Sequence, residues 1–237
     1  VSRRFGGLSA LREVSFTVHQ GQIVGLVGPN GAGKTTLFNV LVGLTAPSAG
    51  VVRLGGQRIS GLSPHRVCAA GVTKTFQNVA LFLDMTVRDN VLVGGLAHHS
   101  LQGARALADR TLERVGLAPI ADKVAADLTF PERARVELAR ALCTEPRLLL
   151  LDEVMAALTH REMDEMLALI RRIRDDGVTV LVVEHHMRAI MALCERILVL
   201  NFGELIADGP PEQVVRDERV VTAYLGRGTA GRGPIHA

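Results

Sequence analysis

Apolar residues along this chain keep two rhythms. Ile23 to Val27, Leu148 to Leu151, Val178 to Val183 and Ile197 to Leu200 are almost unbroken runs of leucine and β-branched residues, the pattern of parallel strands covered by helices on both faces. Between them the apolar spacing moves to three and four, predicting helices from the Gly33-Lys34 step to Val42, over Arg161 to Asp176, and over Met187 to Cys194. Shorter strands are expected at Val14 to Val18, where apolar and polar side chains alternate. Others are expected at Val51 to Leu54 before the Gly55-Gly56 bend, at Val72 to Phe76, and at Glu204 to Ala207. Ser63-Pro64 starts a short helix that stops at Gly71, and Pro210-Pro211 introduces the last helices, ending near Leu225.

From Thr86 to Thr144 strands all but vanish. Helices are predicted over Thr86 to Val93, Ala104 to Val115 and Pro131 to Cys143, a helical insertion between two halves of an α/β core. The expected division is one domain over residues 1–225, with core 1–85 and 146–225 and a helical subdomain 86–145. The glycine- and arginine-rich stretch 226–237 is expected to be a flexible tail.

Composition narrows the class. Apolar residues make up 48% of the 237 and charged residues 22%, which suits a soluble globular domain and not a disordered chain. No apolar run approaches the roughly 18 residues that cross a bilayer, and no secretory signal opens the chain. The formal charge of +3 is small and its arginines are scattered, so nucleic acid is not an expected partner. Cys68, Cys143 and Cys194 stand apart among apolar neighbours, as reduced, packed thiols do. The first residue is Val1 and not methionine, so a few residues are expected to precede it.

The chemistry begins at Gly28-Pro29-Asn30-Gly31-Ala32-Gly33-Lys34-Thr35-Thr36, between the run ending at Val27 and the helix starting Leu37-Phe38. Glycines let successive backbone N–H groups turn toward an anion, and the following helix adds its positive end at the same point. Lys34 would reach the β and γ phosphates of a nucleotide, and Thr35 a magnesium ion. A plain turn is the competing reading; the strand before and the helix after favour the phosphate loop. Hydrolysis needs carboxylates as well, and Asp152-Glu153 follow the run Leu148 to Leu151, at the strand end where ligands of open α/β sheets bind. Asp152 would hold magnesium through water and Glu153 would orient the attacking water; a surface acid pair is the bland alternative. Past the run ending at Val183 stands Glu184-His185-His186, and His185 could hydrogen-bond a γ-phosphate there or serve only structure.

Gly28 to Thr35, Gln77, Leu128 to Arg133, Leu148 to Glu153 and His185 together resemble the ATPase subunit of ABC transporters, in the order Walker A, Q-loop, signature, Walker B and switch histidine. Arg4-Phe5-Gly6-Gly7-Leu8, Thr75-Phe76-Gln77-Asn78, Asn90-Val91-Leu92-Val93-Gly94 and Ala223-Tyr224-Leu225-Gly226 are similar to the branched-chain amino acid importer members. That resemblance implies an α/β fold: a P-loop NTPase core of RecA type with an antiparallel β subdomain and an inserted helical subdomain. It implies Phe5 stacking on adenine, although Phe5 also reads as an ordinary core residue, and Gln77 as a further catalytic and magnesium residue. It implies a head-to-tail dimer in which Leu128, Thr129, Phe130, Pro131 and Glu132 meet the opposite subunit's ATP. Two membrane permease subunits would dock at the helical insertion and Gln77, and a separate substrate-binding protein would deliver cargo. The expected protein is then an ATP- and magnesium-dependent ATPase, peripheral to the cytoplasmic face of the cell membrane, driving import of branched-chain or related amino acids. A non-transport ABC ATPase, a weakly active regulatory half of a heterodimer, and a phosphate-loop kinase or GTPase are the competing classes.

The likeness has gaps. Leu128-Thr129-Phe130-Pro131-Glu132 stands where Leu-Ser-Gly-Gly-Gln is usual. Thr129 keeps a hydroxyl for the opposite γ-phosphate; Pro131 lacks an N–H to donate, although proline suits the first turn of a helix; and Glu132 brings an acid toward incoming phosphate that favours the helix but not the nucleotide. Val154-Met155, Thr159 and His186 also depart from the usual residues.

Overall fold

The computed structural model describes residues 1–76 and 80–225. Gln77 and the tail 226–237, both singled out from the sequence, lie outside the described residues. Among the described residues the main sheet has six strands, in the order β10-β9-β3-β8-β7-β6. They are β3 (Ile23–Val27), β6 (Val72–Lys74), β7 (Leu148–Asp152), β8 (Thr179–Val183), β9 (Arg196–Asn201) and β10 (Glu204–Gly209). Of the five pairings among the described residues four are parallel, and the β9–β10 hairpin runs antiparallel. The residues of β3 and β8 are buried throughout, as strands sandwiched between helical layers must be.

Two small antiparallel pairs stand apart from this sheet: β1 (Arg3–Phe5) with β2 (Leu8–Leu11), and β4 (Arg53–Leu54) with β5 (Gln57–Arg58) around Gly55-Gly56. Val14 to Val18, expected as a strand, does not pair into one. Its alternation turns Val14 into the core with Phe16 and Val18 packed behind it, while its backbone tie runs from Val14 N–H to the Val1 carbonyl. Alternation reports which side faces the core, not whether a partner strand is available.

The helices are α1 (Lys34–Leu41), α2 (Pro64–Ala69), α3 (Val87–Gly95), α4 (Leu101–Val115), α5 (Phe130–Leu142), α6 (His160–Asp175), α7 (Met187–Leu193), α8 (Pro211–Val214) and α9 (Glu218–Leu225). Local chemistry sets their ends. Thr86 and Ser100 accept the N–H groups of Asp89 and Gly103 to cap α3 and α4, and Gly116 closes α4 in the left-handed conformation. Thr159 caps α6 in a reciprocal box with Glu162, which gives this residue a structural task of its own. Asn90, fully buried, bonds Phe82 through both ends of its amide and so ties the incoming segment to α3.

Two apolar clusters lie on opposite faces of the sheet. Ile23, Val27, Leu149 and Leu151 share one with Val91, Leu112 and Leu138 of the helical block. Val24, Leu26, Leu150 and Leu181 share the other with Leu37 and Phe38 of α1. The inserted helices therefore extend the core of the sheet instead of forming a core of their own.

Candidate nucleotide site

Between β3 and α1 the chain turns through Gly28 to Gly33. A Cβ on Gly28, at φ 153°, would lie 2.1 Å from the Leu200 carbonyl oxygen, and one on Gly33, at φ 106°, 2.7 Å from that of Ala10. Both positions need glycine for backbone conformation and for room. Pro29 and Asn30 continue the loop, and Ala32 is buried beneath it. Lys34, the first residue of α1, is nearly buried, and its ammonium donates to the Gly28 carbonyl at 2.6 Å and the Pro29 carbonyl at 3.2 Å. Burial lowers its pKa, while the charges of Glu153 and Asp152 oppose that shift. The acid doublet thus acts on the loop lysine electrostatically, although the two segments are more than a hundred residues apart in sequence. Thr35 is exposed on the first turn of α1, with Thr36 half-buried beside it.

Asp152 ends β7 and is 4% exposed. Its Oδ2 lies 3.2 Å from Lys74 Nζ, and its N–H donates to Thr75 Oγ1 at 3.1 Å. Lys74 is in turn flanked by the Phe38 and Phe76 rings, 5.9 and 5.5 Å from their centroids. Phe76 N–H donates to Glu137 of α5 at 2.7 Å. Burial raises the pKa of Glu137, against the Phe76 N–H, Arg140 and Lys74 that favour its charge. The strand that leads toward Gln77 is consequently gripped from β7 on one side and from α5 on the other.

Glu153 leaves the sheet with φ at 54°, a left-handed conformation that side chains seldom adopt. Three successive residues at the end of β8 hold it there. The Val183 carbonyl accepts Glu153 N–H at 2.9 Å, Glu184 Oε1 accepts Met155 N–H at 2.8 Å, and His185 Nε2 meets Glu153 Oε1 at 2.7 Å. Glu184 is 2% exposed, and its Oε2 has no hydrogen-bond partner among the described residues. Burial, with the charges of Glu153 and Asp152 adding to it, raises this carboxyl to about 7. His186 occupies the N-cap position of α7 without a side-chain cap bond and is exposed.

The other residues singled out from the sequence lie in separate elements. Phe5 ends β1, is 46% exposed, and carries the Arg3 guanidinium 4.4 Å from its ring centroid. Leu128 is buried ahead of α5, and Thr129 to Glu132 form the start of that helix, with Phe130 exposed. Glu132 serves the helix, as an acid in a first turn does. Its carboxylate closes a capping box with Thr129, accepting that residue's N–H at 2.8 Å, and pairs with Lys123 at 3.2 Å. Its partial burial pushes its pKa up, but Thr129 and Lys123 outweigh that and bring it below the ordinary carboxylate value. Pro131, in the first turn, withdraws no N–H that the helix itself uses. Lys74, Glu137 and Glu184 were not anticipated as parts of the site. Their signals in the sequence were slight: a lone cation closing an apolar strand, an acid between Val136 and Leu138, and an acid directly after five strand residues.

A family model described as ABC transporter matches residues 11–156, and one described as branched-chain amino acid ATP-binding cassette transporter matches residues 204–230. The chain is 41% identical over 243 residues to the high-affinity branched-chain amino acid transport ATP-binding protein BraF of Pseudomonas aeruginosa, covering 95% of each. To the corresponding LivG protein of Escherichia coli it is 40% identical over 240 residues, covering 94% of each. Among solved structures, a nucleotide-free ATP-binding cassette from an ABC transporter matches with a TM-score of 0.88 at 27% identity, over 95% of this chain and 96% of that one. A dimeric, post-hydrolysis structure of the cassette MJ0796 bound to ADP and Pi matches with a TM-score of 0.78 at 25% identity, over 89% of this chain and 95% of that one.

Proposed function

Because this chain belongs to the ATP-binding subunits of ABC transporters, and is an ATPase of that family, we propose that it drives an importer for branched-chain or related amino acids. The observation that carries the ATPase chemistry is the meeting of Lys34, Asp152, Glu153 and His185 at one sheet edge. The cargo rests on full-length likeness to BraF and LivG and on the second family model at residues 204–230.

In our reading the division of labour follows the side chains. Lys34 gives up the Gly28 and Pro29 carbonyls for phosphate oxygens, a change from neutral to charge-assisted hydrogen bonds. Backbone N–H groups of the loop beyond Pro29, with those at the start of α1, complete the cradle. Glu153 accepts a proton from the attacking water, and His185, already bonded to Glu153, holds that carboxylate and answers to the γ-phosphate. Phe5 offers its half-exposed ring to adenine. Thr35 and Asp152, with Gln77, supply the hard oxygen donors that suit magnesium, and a cation partner for Asp152 is already built in as Lys74. Magnesium, when bound, neutralises phosphate charge.

Residues 86–145 serve in this scheme as the helical subdomain facing two permease subunits, and 1–85 with 146–225 as the core. The start of α5, Leu128 to Glu132, faces nucleotide held by a second ATPase subunit, and a substrate-binding protein acts upstream. No helix among the described residues is long and apolar enough to cross a membrane, so attachment at the cytoplasmic face runs through the permeases. The test is reconstitution with those permeases in vesicles. ATP-driven uptake of radiolabelled leucine, abolished by Lys34→Ala, is expected; hydrolysis that neither responds to branched-chain amino acids nor moves them refutes the importer reading.

A further inference from the structure

Glu153 stands in a backbone conformation that no local preference supports, so something must impose it. The ties come from three consecutive residues, and the middle one is the least expected: a buried carboxyl reaching across to a backbone N–H two residues beyond the base. We propose that Glu184 is a positioning residue for hydrolysis: by accepting Met155 N–H it fastens the loop after Glu153 to the strand end that carries His185. The base and the histidine then keep one relative geometry through the cycle. The bond is made to backbone, so it is indifferent to the Met155 side chain, and only an acceptor of this length at residue 184 can supply it.

The Glu184 carboxyl, raised to about 7 by burial, carries less negative charge beside Asp152 and Glu153 than an ordinary one would, and its Oε1 is the acceptor of Met155 N–H. Glutamine presents the same acceptor at the same reach, methionine the same bulk without it, and aspartate the same group one methylene short. This inference rests on the ATPase reading and adds to it a residue that acts through the backbone beside Glu153.

Steady-state phosphate release by the full chain assembled with its permeases tests it. Glu184→Gln is expected to keep kcat within about threefold of wild type, while Glu184→Met loses about tenfold or more in kcat with KM for ATP within about twofold, the mark of lost alignment and not of lost binding. Glu184→Asp, which preserves burial and charge type, is expected to fall with Glu184→Met, and it decides the matter if the methionine variant does not fold. Unchanged kcat in Glu184→Met or Glu184→Asp overturns the proposal, as does a glutamine variant as impaired as the others. Wild-type protein that releases no phosphate refutes the ATPase reading itself, a result distinct from wild-type activity that the three variants share.

Discussion

Replacing Lys74 by methionine removes one charge from a pair that water hardly reaches. The side chains of Lys74 and Asp152 are 8% and 5% exposed and their charges are 3.2 Å apart. At that separation and an effective dielectric of about 20, the attraction is about 5 kcal/mol. Stranding one member of such a pair costs about 3 to 5 kcal/mol. Methionine keeps the stem between the Phe38 and Phe76 rings, so the loss is chiefly electrostatic. For a chain of this size 1 kcal/mol moves Tm by about 2 to 4 °C, which puts the expected drop near 6 to 12 °C at the lower cost. Calorimetry in EDTA measures it. Adding Asp152→Asn to Lys74→Met is expected to return most of the loss, because no stranded charge remains. Magnesium with ADP is expected to narrow the gap to wild type by giving Asp152 another cation. A Lys74→Met protein that melts within about 2 °C of wild type in EDTA, or a gap equally wide with magnesium nucleotide, refutes the reasoning.

Three further outcomes follow. Lys34→Ala is expected to weaken ATP binding by about a hundredfold or more, since several charge-assisted hydrogen bonds go at once; calorimetric titration reads it, and unaltered affinity contradicts the loop assignment. Pro131→Gly restores a backbone donor at the start of α5 and should tighten ATP-dependent dimerisation by about tenfold or more, one charge-assisted bond, measured by ultracentrifugation; an unchanged association constant ends that idea. Glu184, facing the carboxylates of Asp152 and Glu153, titrates at about 7 when folded against an ordinary 4.5. The folded state therefore binds this proton more tightly, and wild type should lose up to about 3 kcal/mol of stability as pH rises through that window. Glu184→Gln has no such loss, so its advantage in urea unfolding should grow from pH 5 to pH 8; parallel curves contradict it.

The strands and helices of this fold were largely legible because their signals are local. Gly33-Lys34 opens α1, Gly116 ends α4, and the buried runs at β3, β7 and β8 lie where leucine and valine accumulate. Val14 to Val18 failed as a strand because pairing is not local. At the edge of the sheet, Lys34, Asp152, Glu153 and His185 were named from spacing and strand context, and the fold brings them together. What spacing could not reveal is who holds them. Lys74, Glu137 and Glu184 contact residues distant in sequence, and each bond depends on which strands lie side by side, β6 with β7 and β7 with β8. Glu132 sits in a capping box with Thr129, a local pattern, whereas its pairing with Lys123 depends on how the segment before α5 folds back.

The claim beneath all of this is that the loop around Lys34 binds ATP while Glu153, across the same sheet edge, activates the water that cleaves it. Phosphate release and ATP affinity measured side by side for wild type and Glu153→Gln test it most directly. The expected result is affinity kept within a few-fold, hydrolysis down by about a hundredfold or more, and dimers accumulating with ATP. A Glu153→Gln protein that hydrolyses ATP at the wild-type rate, or one that no longer binds it, contradicts the account.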